Sequence, residues 1–165
     1  MGPYTFETLS LTHQDEVMAI FNHYIEHSMA AYREAPVGRD HFLGFIEHVD
    51  RYPAYAILDG ERRVAGFAWL EPYASYPTFA GVAEVSYFLA PQHTGKGLGS
   101  EALRRMEADA RRLGLHKLVA NISSANPECI AFHRHRGFEE YGRLKDIGRK
   151  HGTTFSVVWM GKDLD

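Results

Sequence analysis

Val85-Ser86-Tyr87-Phe88-Leu89-Ala90-Pro91-Gln92-His93-Thr94-Gly95-Lys96-Gly97-Leu98-Gly99-Ser100 reads as a strand, a turn and the start of a helix. Val85, Tyr87 and Leu89 alternate with Ser86 and Phe88 in a β-branched and aromatic run, and Pro91 ends the ladder. Gly95, Gly97 and Gly99 occupy every second position of the turn. Without Cβ atoms there, backbone N–H groups can turn inward toward an anion at the start of the following helix. The loop therefore predicts a pyrophosphate cradle, although an ordinary strand-to-helix turn uses glycine too. A Walker loop is excluded, because Gly81 lies at the wrong distance before Lys96 and Gly97, not Ser or Thr, follows that lysine. The dinucleotide fingerprint is excluded as well, since position 100 is Ser and position 102 is Ala.

Outward from this stretch, the central strand is expected over about Val82 to Leu89. Upstream, Tyr4 and Phe6 begin a short alternating strand that leads to Leu9 and Leu11. Thr12 followed by Asp15 is a weak helix start, and Val17, Ile20, Phe21, Tyr24 and Ile25 repeat at helical spacing. A second amphipathic helix carries Phe42, Phe45, Ile46 and Val49, and the loop between the helices holds Tyr32, Arg33 and Glu34. Tyr55 to Leu58 and Val64 to Leu70 predict a hairpin across Asp59 to Arg63. The aromatics of the loop from Glu71 to Gly81 either line a pocket or cover the sheet edge.

Downstream, Leu103, Met106, Ala110 and Leu113 predict the buried stripe of a helix, with Arg104, Arg105, Glu107, Arg111 and Arg112 on its solvated face. Lys117 to Ile122 is the next strand. Asn126-Pro127 opens a short helix that ends at Gly137. Phe138 to Leu144 and Thr154 to Met160 close the chain around a turn from Gly148 to Gly152. With no repeat, linker or low-complexity tract, residues 1–165 are expected to form one domain.

The 165 residues suffice for a core without disulfides or structural metal. A net charge of -3 supplies no general field for nucleic acid or an anionic membrane, which points to a small-molecule partner. The single cysteine, Cys129, precludes an intrachain disulfide, and with no leader or membrane-length apolar run the expected location is cytoplasmic. Ten histidines raise the question of a metal, but His133 and His135 point to different helix faces and no glutamate completes a zinc pattern around His23 and His27. No metal is expected.

Gln92-x-x-Gly95-x-Gly97-x-Gly99 directly after a strand resembles the acetyl-CoA signature of the GNAT N-acetyltransferase superfamily. Asn126-Pro127-x-x-x-Ala131-Phe132-His133-x-x-x-Gly137-Phe138 resembles the other half of that signature, in the right order. Glu34-Ala35-Pro36-Val37, Glu84-x-Ser86-x-x-Leu89 and the segment Gly142 to Gly152 narrow the resemblance to the phosphinothricin and methionine sulfoximine N-acetyltransferase branch. The resemblance implies an α/β (α+β) fold: a mixed, mostly antiparallel sheet, splayed between strands 4 and 5 and flanked by about four helices. It implies acetyl-CoA as cosubstrate, direct acetyl transfer in a ternary complex, and a homodimer, with Phe155 and Trp159 either at its surface or completing the core.

Residue by residue, the resemblance puts acetyl-CoA against Tyr87, Phe88, Leu89, Gln92, Gly95, Lys96, Gly97, Leu98, Gly99, Ser100 and Asn126. Glu84 is the implied base, needed because an α-amino group with a pKa of about 7.7–8.0 is mostly protonated at neutral pH. The N–H of Leu89 is assigned to the oxyanion. His133 is either the acid that meets the leaving thiolate or a cofactor contact. On the acceptor side the branch places an arginine shortly before the glutamate, whereas this chain reads Phe79-Ala80-Gly81-Val82-Ala83-Glu84. Arg33, beside Tyr32, either replaces it at an acceptor carboxylate or is simply solvated. The acceptor is accordingly a small amino acid or analogue, another amine such as a polyamine, antibiotic or protein N-terminus, or absent, if the chain is an acyl-CoA-binding regulator.

Overall fold

The computed structural model describes residues 4–165. Its strands are β1 (Thr5–Thr8), β2 (Ala54–Leu58), β3 (Val64–Pro72), β4 (Val82–Leu89), β5 (Lys117–Ser123), β6 (Glu139–Lys150) and β7 (Thr153–Asp163). Its helices are α1 (Gln14–His27), α2 (Phe42–Ile46), α3 (Leu98–Arg112) and α4 (Pro127–His135). The strands form one sheet in the order β1-β2-β3-β4-β5-β7-β6, antiparallel throughout except where β4 meets β5. This is the expected mixed sheet with its four helices.

Alternation along β4 divides the molecule into two apolar layers. Ala83 and Val85 face a core that α3 closes with Leu98, Ala102, Leu103, Met106 and Ala110. Phe88 faces the opposite core, which α1 and α2 close with Val17, Phe21, Ile25, Phe42 and Phe45. β4 thus contributes to both layers, and both helix pairs are tied to one sheet.

Several local expectations are corrected. Leu113 lies past the last turn of α3 and is 48% exposed; Leu98 and Ala102 complete the buried stripe instead. The first helix is entered through Ser10, whose N–H donates to His13 Nδ1 at 3.2 Å, and not through Thr12. β6 runs on to Lys150, so the final turn is only His151-Gly152, with φ of 47° and 78°, which is the two-residue hairpin geometry. Gly148 belongs to the strand because the Phe155 ring covers it from across the pair. Phe155 is thereby buried at 6% exposure, and Trp159 is half-buried against Tyr73.

Gly66 permits a close backbone approach between β3 and β4. A Cβ there would sit 2.8 Å from the Phe88 carbonyl oxygen and 3.2 Å from Leu89 Cα, both backbone atoms of β4. Gly66→Ala is therefore expected to destabilise the protein by about 1–3 kcal/mol, seen as a fall of several degrees in Tm; an unchanged Tm would mean that β3 and β4 are not held this close.

Candidate functional site

β4 and β5 run parallel and pair only over Val82↔Lys117, Ala83↔Leu118 and Glu84↔Val119. Beyond Glu84 they part. On its other side β4 stays paired with β3 as far as Leu89, and Ala90 N–H donates to Ala65 O at 2.8 Å. Alternation along the strand turns the N–H groups of Leu89 and Tyr87 the opposite way, into the gap. The Leu89 carbonyl accepts the Tyr24 hydroxyl at 2.5 Å.

Two cavities, of about 440 and about 350 Å³, open along this gap and share Tyr87, Leu89 and Cys129 as wall. The smaller is lined by Gly95, Gly97, Gly99 and Ser100. Gly95 and Gly97 have φ of 70° and 81°, a left-handed turn that favours glycine, and Gly97 caps α3 without a side-chain hydrogen bond. The first N–H groups of a 15-residue helix therefore face the cavity without a protein side chain to cap them, as an anion requires. A Cβ at Gly99 would reach no closer than 3.7 Å to Leu89 and Phe132, so its absence widens the cradle and relieves no internal crowding. This geometry fits a pyrophosphate. The side chains of Gln92 and Lys96 are exposed and line neither cavity, and Leu98 points into the core, leaving their backbones as what they present.

The larger cavity gathers Tyr32, Arg33, Glu84, Phe88, Asn126 and His133. Glu84 sits at the last paired position before the strands part. Burial, the Glu71 carboxylate directly across β3, and against these a hydrogen bond from the Asn121 amide, set its pKa, which is pushed up to about 7. Sequence reading missed both Glu71 and Asn121, because each becomes a neighbour only through strand register. Asn126 Oδ1 accepts Cys129 N–H at 3.3 Å, capping α4. Burial pushes the Cys129 thiol up to about 11, so it stays protonated.

His133 is buried, and both ring nitrogens are engaged. Nδ1 lies 2.8 Å from the Cys129 carbonyl, which only accepts, so Nδ1 carries the proton; Nε2 then accepts from the Tyr87 hydroxyl at 2.6 Å. Burial lowers the pKa of the imidazole and raises that of the phenol, which keeps both neutral. The phenol of Tyr87, expected only as a stretch of strand backbone, thus reaches the wall common to both cavities.

Tyr32 stacks on Phe155 at 5.5 Å, and burial, with Glu84 and Cys129 nearby, pushes its phenol up to about 12. The loop carrying Tyr32 and Arg33 is held from below by Lys150, only 1% exposed, whose Nζ donates to the Ser28 and Ala31 carbonyls at 2.7 and 2.6 Å. His151 N–H donates to Glu34 at 2.8 Å. Among the described residues Arg33 has no ion-pair partner, and no three His, Cys, Asp or Glu side chains converge on a metal-sized site.

The folded protein keeps Glu84 protonated up to about pH 7, whereas an unperturbed glutamate releases its proton near 4.5. Ionisation therefore opposes folding: the penalty is absent below about pH 4.5, grows between the two values and is full above 7. Glu84→Gln is expected to raise Tm at pH 8, by up to about 3 kcal/mol of stability, and to have little effect at pH 4. An equal Tm at pH 8 would remove the buried-carboxylate description.

Comparison with known proteins agrees with this geometry. The acetyltransferase (GNAT) family profile matches residues 15–138. An L-methionine sulfoximine/L-methionine sulfone acetyltransferase of Salmonella typhimurium is 32% identical over 151 residues, covering 90% of this chain and 88% of the relative. An L-amino acid N-acyltransferase of Escherichia coli is 29% identical over 151 residues, with 90% and 87% covered. The crystal structure of a phosphinothricin acetyltransferase from Sinorhizobium meliloti in complex with acetyl-CoA superposes with a TM-score of 0.92 at 28% identity, over 98% of this chain and 88% of that one. Parted strands, a glycine cradle under α3 and sequence likeness across most of the chain lead to one family: this protein belongs to the GNAT acetyltransferases and is an acetyl-CoA-dependent N-acetyltransferase.

Proposed function

We propose that the protein transfers the acetyl group of acetyl-CoA directly to the primary amine of an amino acid or amino-acid analogue. The observation that carries this reading is the placement of Glu84, whose carboxyl lies where the gap opens and titrates near neutral pH. The named activities of the two relatives, on methionine derivatives and on L-amino acids, support the acceptor class. When bound, acetyl-CoA supplies an activated acetyl thioester.

In this reading the N–H groups of Gly95 to Ser100 hold the pyrophosphate, the Tyr87 N–H pairs with the pantetheine arm as an added strand would, and Asn126 holds its far side. Glu84 takes the proton from the acceptor ammonium, directly or through one water, at a pH where its own pKa is matched to the task. The Leu89 N–H receives the negative charge that develops on the acetyl oxygen.

The Tyr87 hydroxyl is the neutral donor that turns from His133 Nε2 to the departing sulfur. A phenol with a raised pKa stabilises the departing thiolate by hydrogen bonding, and the second proton, shed by the nitrogen as the C–S bond breaks, passes to that thiolate to give amide and free thiol. His133, with both nitrogens engaged, acts through Tyr87 and is a positioning residue.

Two kinetic outcomes test these roles. For the wild type, kcat/KM for the acceptor should rise through a pKa near 7, and Glu84→Gln should lower kcat by about 10²–10⁴-fold and abolish that rise; a variant with wild-type kcat would exclude the base. Tyr87→Phe should lower kcat by about tenfold or more with little change in the KM for acetyl-CoA. Adding His133→Asn to Tyr87→Phe should cost little further, as expected of two residues acting in one chain; additive losses would assign His133 an independent contact.

A further inference from the structure

The acceptor cavity has two chemically unlike ends. Near Glu84 it is polar, with Asn121 beside the carboxyl, while Arg33 lies in the wall close to His41. Its other wall is a set of interlocked rings. Phe45 packs on Trp69 with centroids 4.7 Å apart and on Phe21 at 5.1 Å, and Phe21 meets Phe88 at 5.4 Å.

Two polar atoms on this aromatic side are already committed. The Tyr24 hydroxyl donates to the Leu89 carbonyl, and the Trp69 indole N–H points to Glu71 at 3.4 Å. His41 lies flat against Phe21, with centroids 5.2 Å apart and planes 8° from parallel. Burial and the nearby Arg33 guanidinium lower its pKa, so it brings no charge. Among the described lining residues Arg33 is left as the cation, while Glu84 and, behind it, Glu71 supply negative charge.

These facts set a charge balance and a surface for the ligand. One guanidinium matches one carboxylate in bidentate fashion. A second anionic group would face rings and carboxylates, with no second cation among the described lining residues to meet it. An aromatic, thioether or branched aliphatic side chain would bury apolar area against the ring wall.

Resting on the amino-acid reading above, we propose that the acceptor is an amino acid with a large uncharged apolar side chain, of the phenylalanine, methionine or leucine type, its carboxylate on Arg33 and its side chain against Phe21, Phe45, Trp69 and Phe88. Phosphinothricin, with a phosphinate besides its carboxylate, is disfavoured by charge.

The test is thiol release from acetyl-CoA by the full chain, with phenylalanine, methionine, leucine, phosphinothricin and phenethylamine as separate acceptors. Phenylalanine and methionine should exceed phosphinothricin in kcat/KM by about a hundredfold or more. Arg33→Met, a change at an exposed position, should erase the preference for phenylalanine over phenethylamine while leaving the KM for acetyl-CoA unchanged. A higher kcat/KM for phosphinothricin than for the apolar amino acids overturns the apolar-acceptor inference and leaves the amino-acid reading standing. Equal use of phenethylamine and phenylalanine by the wild type overturns the carboxylate assignment. No release with any amino acid overturns the amino-acid reading itself, and this inference with it.

Discussion

Three residues of parallel pairing govern the molecule. β4 and β5 are held together at Val82, Ala83 and Glu84 and diverge from there. A sheet that splits in mid-strand leaves backbone donors without partners, and such groups persist only where solvent or a ligand can satisfy them. Here the unpaired edge lines both cavities. The strands cannot close back, because Tyr87, His133 and Cys129 fill one side of the gap and the Tyr24 hydroxyl takes the Leu89 carbonyl from the other. The same divergence sets the electrostatics of Glu84, which is at once the last paired residue and the first to look into the cavity.

The two apolar layers divide the labour. The layer under α3 and α4 holds the glycine cradle and the Tyr87–His133 pair, whereas the layer under α1 and α2 supplies the ring wall of the acceptor cavity. β4 belongs to both. Its even residues, Glu84 and Phe88 among them, line the larger cavity, and its odd residues, Tyr87 and Leu89, turn their backbone N–H groups into the gap. One strand thus fixes the spacing between the two cavities.

What could be read in advance was whatever is local. The limits of β4, the glycine turn and the Asn126 cap of α4 each depend on a few adjacent residues whose conformational preferences agree. What escaped depends on register and on facing surfaces. The pairing of Glu71 with Glu84 needs the length of the loop between two strands; the bond from Tyr87 to His133 needs a strand face and a helix face brought together across 46 positions. Leu113 kept the apolar spacing of α3 yet falls where the helix ends. Gly148 read as a turn residue because glycine signals both a turn and a position beneath an aromatic ring, and only the partner strand distinguishes the two. The ring wall was visible as core residues but not as one surface, since it draws on α1, α2, β3 and β4 together.

The buried ammonium of Lys150 carries a consequence for the order in which the site comes into being. The loop bearing Tyr32 and Arg33 belongs to the first quarter of the chain, yet it is fastened to Lys150 and packed on Phe155, near the other end. The cradle residues Gly95 to Ser100, by contrast, abut a helix that follows them immediately. A ribosome releases the N-terminal portion first, so the acceptor loop leaves it more than a hundred residues before its anchor does. That wall of the larger cavity is therefore completed late in biosynthesis, and a nick in the turn at His151 and Gly152 would loosen it while sparing the cradle.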